Sequence, residues 1–411
     1  MSPVAPAPQE GVARRSPGAL RPDHLVLAAL LAVTLLQRLA VPAGGDQVPL
    51  VLPVVLGLLL VGLATGLVDL DPVTTRLYAV GVGALVVLTA VSWARGQAPS
   101  LTSLLFAVAI YAVAVVRPRL GRAGVERVLD RFAAVMVVAA VVGLAQTSGQ
   151  YLGVPYRDWL AEVVPEPFLQ QGYNTADPVA YGASLYRANG VVFLEPSFYA
   201  TFLAVALLVV LRRGRGVVAA ALLAAALVPT LAGNGVVVAG LGILVLALGP
   251  GRRRLGLLVL PAVGALAIAV VTPVGELFLR RATEISSPGT SSSLRLVEPY
   301  TVVVPAYLEA PGGLLLGNGA GSVTEVAGAP GVGVGLLTPI LPKLLFEYGL
   351  VGAVLFLLFV LHVLAAGWRD APWVPGLVVS YLVLNAALLQ VVLALLTILM
   401  VRLVRPHVED P

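Results

Sequence analysis

The chain has no cysteine and only three histidines among its 411 residues. Without cysteine there is no disulfide framework and no thiolate metal site. The histidines, His24, His362 and His407, lie far apart in sequence, so a histidine metal cluster is not expected either. We therefore predict a protein with no metal site and no cofactor.

Charged residues are also scarce. They make up 11% of the chain, whereas 59% of its residues are hydrophobic; soluble globular proteins carry about 25% charged residues. This deficit excludes a soluble domain and predicts a polytopic integral membrane protein. The net charge of +5 does not indicate nucleic acid as a partner, because the arginines occur in short runs between apolar segments. That pattern is typical of cytoplasmic loops.

Long apolar runs recur along the chain, and most have the length of a transmembrane helix, about 20 residues. The predicted spans are residues 25–41, 49–68, 77–93, 101–116, 128–146, 191–211, 217–231, 236–248, 255–272 and 341–366. A last apolar block, Pro375 to Val401, is too long for one ordinary span and short for two, and Asn385 and Gln390 interrupt it. The predicted fold class is all-α, a polytopic transmembrane helix bundle of 11 or 12 spans with two long outer loops carrying short helices.

Arginine placement orients the predicted spans. The clusters after spans four, six and eight fall on the same side as the N-terminal tail, which should be the cytoplasmic side. Both long polar stretches then fall outside. The predicted division is a disordered cytoplasmic tail (1–24), N-terminal transmembrane helices (25–146), an outer loop (147–190), central transmembrane helices (191–272), a large outer loop (273–337), and C-terminal transmembrane helices with a cytoplasmic tail (338–411).

The stretch that begins at Arg187 departs from generic membrane helix. A polar, aromatic loop ends there, and an apolar run begins at Val191. Glu195 lies four residues into that run, where a carboxylate is costly unless it is paired or faces water. Pro196 follows and tends to start a helix. We predict a functional site at this water–lipid border, with the loop around Arg295 as its later partner.

Each of these charged residues also has a plain structural interpretation. Arg187 would anchor its loop at lipid phosphates, and Glu195 would be its structural partner. Arg295 would pair with Glu298 one helical turn later. In this interpretation the charges stabilise loops and carry no chemistry.

The later part of the chain offers similar alternatives. Glu347 would cap the tenth span, where a negative charge near the helix start is favourable. The glycine-rich segment 317–321 has backbone amides that would cradle a phosphate, but a simple turn explains the same residues. Arg38, near the outer end of span one, is expected to extend towards the lipid headgroups. Asn385 and Gln390 are expected to make interhelical hydrogen bonds.

Three motifs follow one another along the chain. They are Arg187, Gly190 and Glu195-Pro196-Ser197; then Arg295, Pro311 and Gly317-Asn318-Gly319-Ala320-Gly321; and last Glu347-Tyr348-Gly349-Leu350-Val351-Gly352. In this order they resemble the O-antigen ligase and polymerase superfamily of bacterial polysaccharide assembly, over roughly residues 132–366. Ligases of that family carry a histidine shortly before the last motif, where this chain has Thr338-Pro339. A polymerase is therefore the better interpretation, and a ligase-like transfer to a final acceptor is the alternative.

The resemblance implies a glycosyltransferase in the bacterial cytoplasmic (inner) membrane. Such an enzyme transfers glycan units from an undecaprenyl-diphosphate-linked oligosaccharide to an acceptor glycan or lipid at the outer face. Its other partners would be membrane lipids and polysaccharide-assembly proteins, and not nucleic acid. In that role Arg187 and Arg295 would neutralise the diphosphate leaving group. Glu195, with Glu298 and Glu347 behind it, would orient and deprotonate the acceptor hydroxyl. Backbone groups of Gly317, Asn318 and Gly319 would make weaker contacts to the donor.

Two other classes of function compete with this interpretation. A flippase or secondary transporter would place ionisable residues near the bilayer midplane and often shows inverted repeats. Few charged residues lie in the middle of any predicted span, and no repeat of the span pattern is evident. A non-catalytic scaffold would not need arginine and glutamate gathered at span ends. The sequence therefore favours an enzyme with a site at the outer face.

The predicted topology can be tested with reporter fusions. Fusions at Gly172 and Gly289 should report an external position, and fusions at Gly214 and Gly251 a cytoplasmic one, because the arginine clusters retain their loops inside. A cytoplasmic signal from either long loop would show that the site is not on the outer face.

Overall fold

The computed structural model describes residues 20–44, 46–180, 183–249, 293–310, 313–328, 338–367, 371–385 and 388–405. This part of the chain is mostly helical, and its strands form only two short antiparallel pairs. Four helices are long and apolar enough to cross a membrane: Pro72–Ala94, Arg122–Tyr151, Pro196–Arg213 and Ile340–Ala365. The all-α class is confirmed, while the number of spans stays a prediction.

The N-terminal half contains five apolar helices and the two strand pairs. The helices are α1 (Pro22–Leu35), α2 (Val51–Ala64), α3 (Pro72–Ala94), α4 (Leu101–Ala112) and α5 (Arg122–Tyr151). Strands β1 (Ala40–Ala43) and β2 (Asp46–Pro49) form a hairpin between α1 and α2. Strand β3 (Val68–Leu70) pairs with β4 (Val116–Pro118), which joins the α2–α3 connection to the α4–α5 connection.

The first long loop and the central helices follow. They comprise the short α6 (Trp159–Val163), then α7 (Pro196–Arg213), α8 (Val217–Leu227) and α9 (Gly233–Leu248). Helix α7 is buried on nearly all sides and packs against α5, α8 and α9. Its contact with α9 is close because Gly235 faces Ala200, where a Cβ on the glycine would lie 2.6 Å from the alanine Cβ. Small residues at such crossings let two helix backbones approach.

The C-terminal part begins with short helices of the second long loop. These are α10 (Ser293–Leu296), a π-helical turn (Pro299–Val303), α11 (Val304–Glu309), α12 (Gly313–Leu316) and α13 (Val323–Ala327). Then come α14 (Ile340–Ala365), α15 (Val374–Val379) with a π-helical turn (Ser380–Leu384), and α16 (Val391–Ile398) with a second such turn (Leu399–Leu403). Helix α14 packs along α3 and under α12.

The helices share two ends, which we call the arginine end and the loop end. At the arginine end, Arg213 at the close of α7 binds Glu126 and Asp130 at the start of α5. Arg402 binds Asp71 there, with Nη2 3.1 Å from Oδ2. At the loop end, Leu39 after α1 forms a β-bridge with Leu169 of the first long loop.

Several span predictions need correction. The first span was expected to reach Val41, but α1 ends at Leu35 and Ala40–Ala43 form β1. The sixth span was expected to begin at Val191, but α7 begins only at Pro196, because proline suits the first helical position and disfavours helix in the residue before it. Helix α1 begins at Pro22, inside the predicted tail. Helix α5 extends beyond the predicted 128–146 at both ends. The predicted ninth span, residues 255–272, and the Arg295 side chain lie outside the described part.

The last apolar block is divided into two helical segments. Asn385 has extended backbone angles and ends the first segment. Gln390 caps the second, because its Oε1 accepts a hydrogen bond of 3.1 Å from the Leu393 amide. The interpretation of this block as two short helices is confirmed, and the interpretation as one tilted helix is wrong.

Helix α14 is broken at Gly349, whose φ of 63° and ψ of −173° are not helical. The break lets the backbone of the second long loop approach the helix. A Cβ on Gly349 would lie 2.4 Å from the Leu315 carbonyl, and one on Gly317 would lie 2.4 Å from the Glu347 carbonyl oxygen. Both glycines also have positive φ. A side chain at either position would therefore strain the backbone and collide with the opposite segment.

Gly349→Ala should therefore destabilise the fold by about 2–5 kcal/mol, from the left-handed backbone and the collision with Leu315 together. The measurement is thermal unfolding of the purified protein in detergent. Gly83→Ala is the matched control, because Gly83 lies within α3 and a Cβ there would have no neighbour within 4 Å. Equal unfolding temperatures for the two variants would contradict the close contact.

Candidate functional site

Two C-terminal helical segments are much shorter than α5, which has 30 residues. Residues Val374–Leu384 and Val391–Leu403 are roughly 16 Å and 20 Å long at about 1.5 Å per residue. The hydrocarbon core of a bilayer is about 30 Å thick. Both segments adjoin the arginine end, where Trp373 Nε1 donates to the Met400 carbonyl at 3.1 Å. Their opposite ends, at Leu384 and Val391, lie at the loop end, next to the first long loop. We call the region between these two ends and that loop the recess, and the two ends its floor.

The first long loop enters this recess. Gln390 on the floor donates from Nε2 to the Tyr173 hydroxyl at 2.9 Å. The Ala188 amide donates to the Pro229 carbonyl of the short α8–α9 connection at 3.1 Å. Burial above all, with a smaller contribution from the nearby Glu195 carboxylate, raises the pKa of Tyr173 to about 12. The hydroxyl therefore stays protonated at physiological pH.

Glu195 lies at the start of α7, facing this loop. It is half-buried and occupies the residue just before the helix. Its Oε1 accepts a hydrogen bond of 3.4 Å from the Asn174 amide, and its Oε2 accepts one of 3.2 Å from Ser197 Oγ. A carboxylate is favoured at a helix N-terminus. The structure thus places Glu195 just before α7, at the border of the helix bundle and the loop, and not four residues inside a span as the apolar run predicted.

The turn before Glu195 has an unusual backbone. Gly190 and Val191 both have positive φ, at 62° and 66°, and a β-branched residue rarely adopts this conformation. The Asn189 side chain, which is fully buried, holds the turn. Its Oδ1 accepts from the Val191 amide and from Gln146 Nε2, each at 3.0 Å.

Arg187 is bound within the loop itself. Its side chain is 9% exposed, and its guanidinium forms an ion pair with Asp177. Its Nη1 also donates to the Leu231 carbonyl at 3.4 Å. Among the described contacts, the carboxylate beside Arg187 is thus that of Asp177, which the sequence did not single out from the other loop acids.

Arg38 was missed by sequence reasoning. The expectation that it extends to lipid headgroups is wrong, because its side chain is 4% exposed and bound on two sides. Its Nη1 and Nη2 donate to the two carboxylate oxygens of Asp158 at 2.6 Å and 2.5 Å, and Nη1 donates to the Val191 carbonyl at 3.0 Å. Burial raises the pKa of Asp158, but the hydrogen bonds and charge of Arg38, together with hydrogen bonds from Ala161 and Thr175, outweigh burial and lower this pKa. The pair therefore persists through the neutral and mildly acidic range.

The second long loop lies against α14 and the recess floor. Helix α10, which carries the backbone of Arg295, packs against the turn Ser380–Leu384 that leads to the floor. Glu298 is half-buried, at the start of the π-helical turn. Val303, Tyr307 and Val323 of this loop form an apolar cluster with Phe346 of α14. Pro311 lies outside the described residues.

Glu347 is fully buried and does not cap a helix start. It lies inside α14, where Lys343 Nζ binds its Oε1 at 2.5 Å. Its Oε2 is buried and has no hydrogen-bond partner in the described part of the chain. Its main-chain oxygen accepts a hydrogen bond of 2.7 Å from Gly319. The side chain is thus part of a buried ion pair at the helix break.

The glycine-rich segment uses its amides within the protein. The amides of Gly317, Asn318 and Gly319 donate to the carbonyls of Gly313, Phe346 and Glu347, at 2.8, 3.0 and 2.7 Å. These groups are not available to a phosphate in this conformation. The turn interpretation therefore describes the segment.

Asparagine side chains join the start of α9 to the end of the turn Ser380–Leu384. Asn234 Nδ2 donates to Asn385 Oδ1 at 2.9 Å, and Asn385 Nδ2 donates to the Ser380 hydroxyl and carbonyl, each at 2.9 Å. The expected interhelical hydrogen bond of Asn385 is confirmed. Within the described residues, no group of three histidine, cysteine or acidic side chains could hold a metal ion.

Stability measurements can test whether Glu347 has a purely structural role in its ion pair with Lys343. Lys343→Ala should cost about 3–5 kcal/mol, because the buried Glu347 carboxylate loses its cation. The double variant Lys343→Met with Glu347→Leu should recover most of that loss, because both charges are replaced by apolar groups of similar size. Thermal unfolding measures both effects. A double variant as unstable as Lys343→Ala would show that the pair is more than a structural contact.

Comparison with known proteins supports the polymerase interpretation. No curated protein matches the chain. The family model for WcaD colanic acid polymerase matches residues 25–405, which include every residue of the recess and both long loops. This is an O-antigen polymerase-type family, and the match agrees with the absence of the ligase histidine before the last motif. On the strength of a match over nearly its whole length, the chain belongs to the WcaD colanic acid polymerase family.

Proposed function

We propose that this protein joins glycan repeat units at the outer face of the cytoplasmic membrane, taking them from an undecaprenyl-diphosphate-linked donor. The observation that carries the proposal is the half-buried carboxylate of Glu195 at the start of α7. It lies next to the first long loop and near Tyr173, which Gln390 binds at the recess floor. The donor's lipid moiety must lie in the bilayer while its diphosphate and sugars face water. A site at the end of the helix bundle meets both requirements.

We also propose an orientation and a number of spans. The arginine end carries Arg212 and Arg213 as well as Arg402, so we place it in the cytoplasm by the positive-inside rule. The loop end then faces outwards. The two segments of the last apolar block return the chain to the arginine end, which makes 12 spans the better count.

The proposed reaction is a single displacement at the anomeric carbon of the donor sugar. The acceptor hydroxyl oxygen forms a bond to that carbon, and the bond between carbon and diphosphate oxygen breaks. The bonding electrons leave with the diphosphate, and the hydroxyl proton passes to Glu195. Orientation of the two substrates and stabilisation of the leaving charge supply most of the acceleration.

Among the acidic candidates, Glu195 fits the role of base better than Glu347. Glu347 is fully buried and bound to Lys343, so an acceptor hydroxyl has no access to it. Glu298 lies half-buried on the second long loop and remains the alternative base.

The two arginines have unequal roles in the proposal. Asp177 already neutralises much of the charge on Arg187, so Arg187 mainly holds the loop over the recess and contacts the diphosphate at its edge. Arg295, on a helix that packs against the turn leading to the recess floor, makes the main diphosphate contact. Gly317, Asn318 and Gly319 shape the loop that holds this helix in place.

Glu195→Gln should lower the rate of glycan transfer by about 10²–10⁴-fold, the usual contribution of a general base, while expression and unfolding temperature stay near normal. The assay is polymer formation by purified protein from a lipid-linked donor. Glu162→Gln is the matched control, because Glu162 lies on the exposed helix α6 of the same loop. Near-normal transfer by Glu195→Gln would eliminate it as the base and leave Glu298.

A further inference from the structure

The ion pair of Arg38 and Asp158 joins two segments that flank Glu195. On one side, Arg38 Nη1 donates to the Val191 carbonyl at 3.0 Å, four residues before Glu195. On the other side, Asp158 Oδ2 accepts from Thr175 Oγ1 at 3.1 Å. The neighbouring Asn174 amide donates to Glu195 itself at 3.4 Å. One buried pair is therefore connected to Glu195 through both of its flanking segments.

The first of these segments needs external support. Val191 has a φ of 66°, which is unfavourable for a β-branched residue and persists only where the surroundings enforce it. Both of its backbone polar groups are bound: the amide to Asn189 and the carbonyl to Arg38. Gln37, beside Arg38 at the end of α1, also accepts from the Leu194 amide at 3.5 Å. The residues that follow α1 thus bind the segment from Val191 to Leu194 at its first and its last residue.

Gly190 packs closely against two aromatic rings. A Cβ on this residue would lie 2.9 Å from the Tyr199 ring and 3.1 Å from the Phe193 ring. The turn is therefore pressed between α7 on one side and the Arg38 guanidinium on the other. Small shifts of Arg38 would move the turn and, through it, the residue that precedes α7.

We propose that Arg38, oriented by Asp158, is a positioning residue for the glycan-transfer reaction, because it holds the Gly190–Val191 turn and so sets the place of the Glu195 carboxylate. This inference rests on the proposed role of Glu195. It assigns to Arg38 no contact with substrate. Its effect is on the rate of the chemical step rather than on donor binding, since a displacement of about 1 Å at a reacting group can cost about 100-fold in rate.

A second ion pair of similar geometry provides the control. Arg119 donates from Nε and Nη2 to the two oxygens of Asp69, at 2.6 Å and 2.7 Å. This pair is exposed and lies at the arginine end, where β3 meets β4. It has the same bidentate form as the Arg38–Asp158 pair but is remote from Glu195.

The decisive variant removes both charges of the pair, Arg38→Met with Asp158→Leu. Removal of one partner alone would leave a buried charge and risk misfolding, whereas apolar replacement of both is often neutral for stability. We expect a normal unfolding temperature, a kcat lowered about 10–100-fold, and a KM for the lipid-linked donor within about twofold of the natural protein. The control, Arg119→Met with Asp69→Leu, should change neither constant. A folded Arg38→Met, Asp158→Leu protein with normal kcat would overturn the proposal.

A thiol-labelling experiment tests whether Arg38 holds the turn, independently of whether Glu195 is the base. The chain has no cysteine, so Val192→Cys introduces a single thiol in the turn. Its rate of modification by a membrane-impermeant maleimide should rise at least about fivefold when the Arg38–Asp158 pair is removed, because the turn is no longer held. The rate should not rise in the Arg119–Asp69 control.

The labelling is repeated in Glu195→Gln protein. If Glu195→Gln is fully active, the proposed base is wrong, but the labelling rates still show whether Arg38 holds the turn. An unchanged labelling rate after removal of the Arg38–Asp158 pair would overturn the positioning role, whatever the activity of the Glu195 variant.

Discussion

The structure depends on one constraint: backbone polar groups in the membrane interior need partners within the protein. Helices that end before the membrane surface leave such groups without helical partners. In this protein α8, α9 and the two C-terminal segments are all shorter, at about 1.5 Å per residue, than the about 30 Å of a bilayer's hydrocarbon core. Residues of the first long loop contact the connections between them. Its amides and side chains bind the exposed carbonyls, as Ala188 does with Pro229 and Arg187 with Leu231. The recess is polar because helix ends must be satisfied there.

The same constraint determines where charge is placed. A charged side chain within the bundle is costly unless it is paired, and the described interior contains three such pairs at the loop end: Arg38 with Asp158, Arg187 with Asp177, and Lys343 with Glu347. Buried pairs of this kind contribute little net stability. Arg38 with Asp158 joins the end of α1 to the first long loop, and Arg187 with Asp177 joins two parts of that loop, so these two pairs specify geometry more than they add stability. Lys343 with Glu347 joins two turns of α14.

Sequence patterns were informative where a short stretch of chain determines its own structure. Apolar runs placed most helices, and the charged residues in an apolar run singled out Glu195 before any contact was known. The start of α7 was misplaced because hydropathy does not register the conformations of Gly190 and Val191. The pairing of Arg38 with Asp158 joins residues 120 positions apart, and no local pattern signals it. The break at Gly349 depends on the approach of Gly317 from another segment.

These long-range contacts explain why a catalytic role and a structural role are difficult to separate by composition alone. Glu195 and Glu347 both lie in the motifs on which the resemblance to O-antigen ligases and polymerases is based, and both are glutamates near predicted helix starts. The fold gives them opposite surroundings: Glu347 is enclosed with a lysine inside α14, while Glu195 is half-buried at the edge of a polar recess. A general base must meet a diffusing hydroxyl group, which requires access as well as a carboxylate. Access is a property of how distant segments pack, and the role we propose for Arg38 is to hold the turn that sets the place of the Glu195 carboxylate.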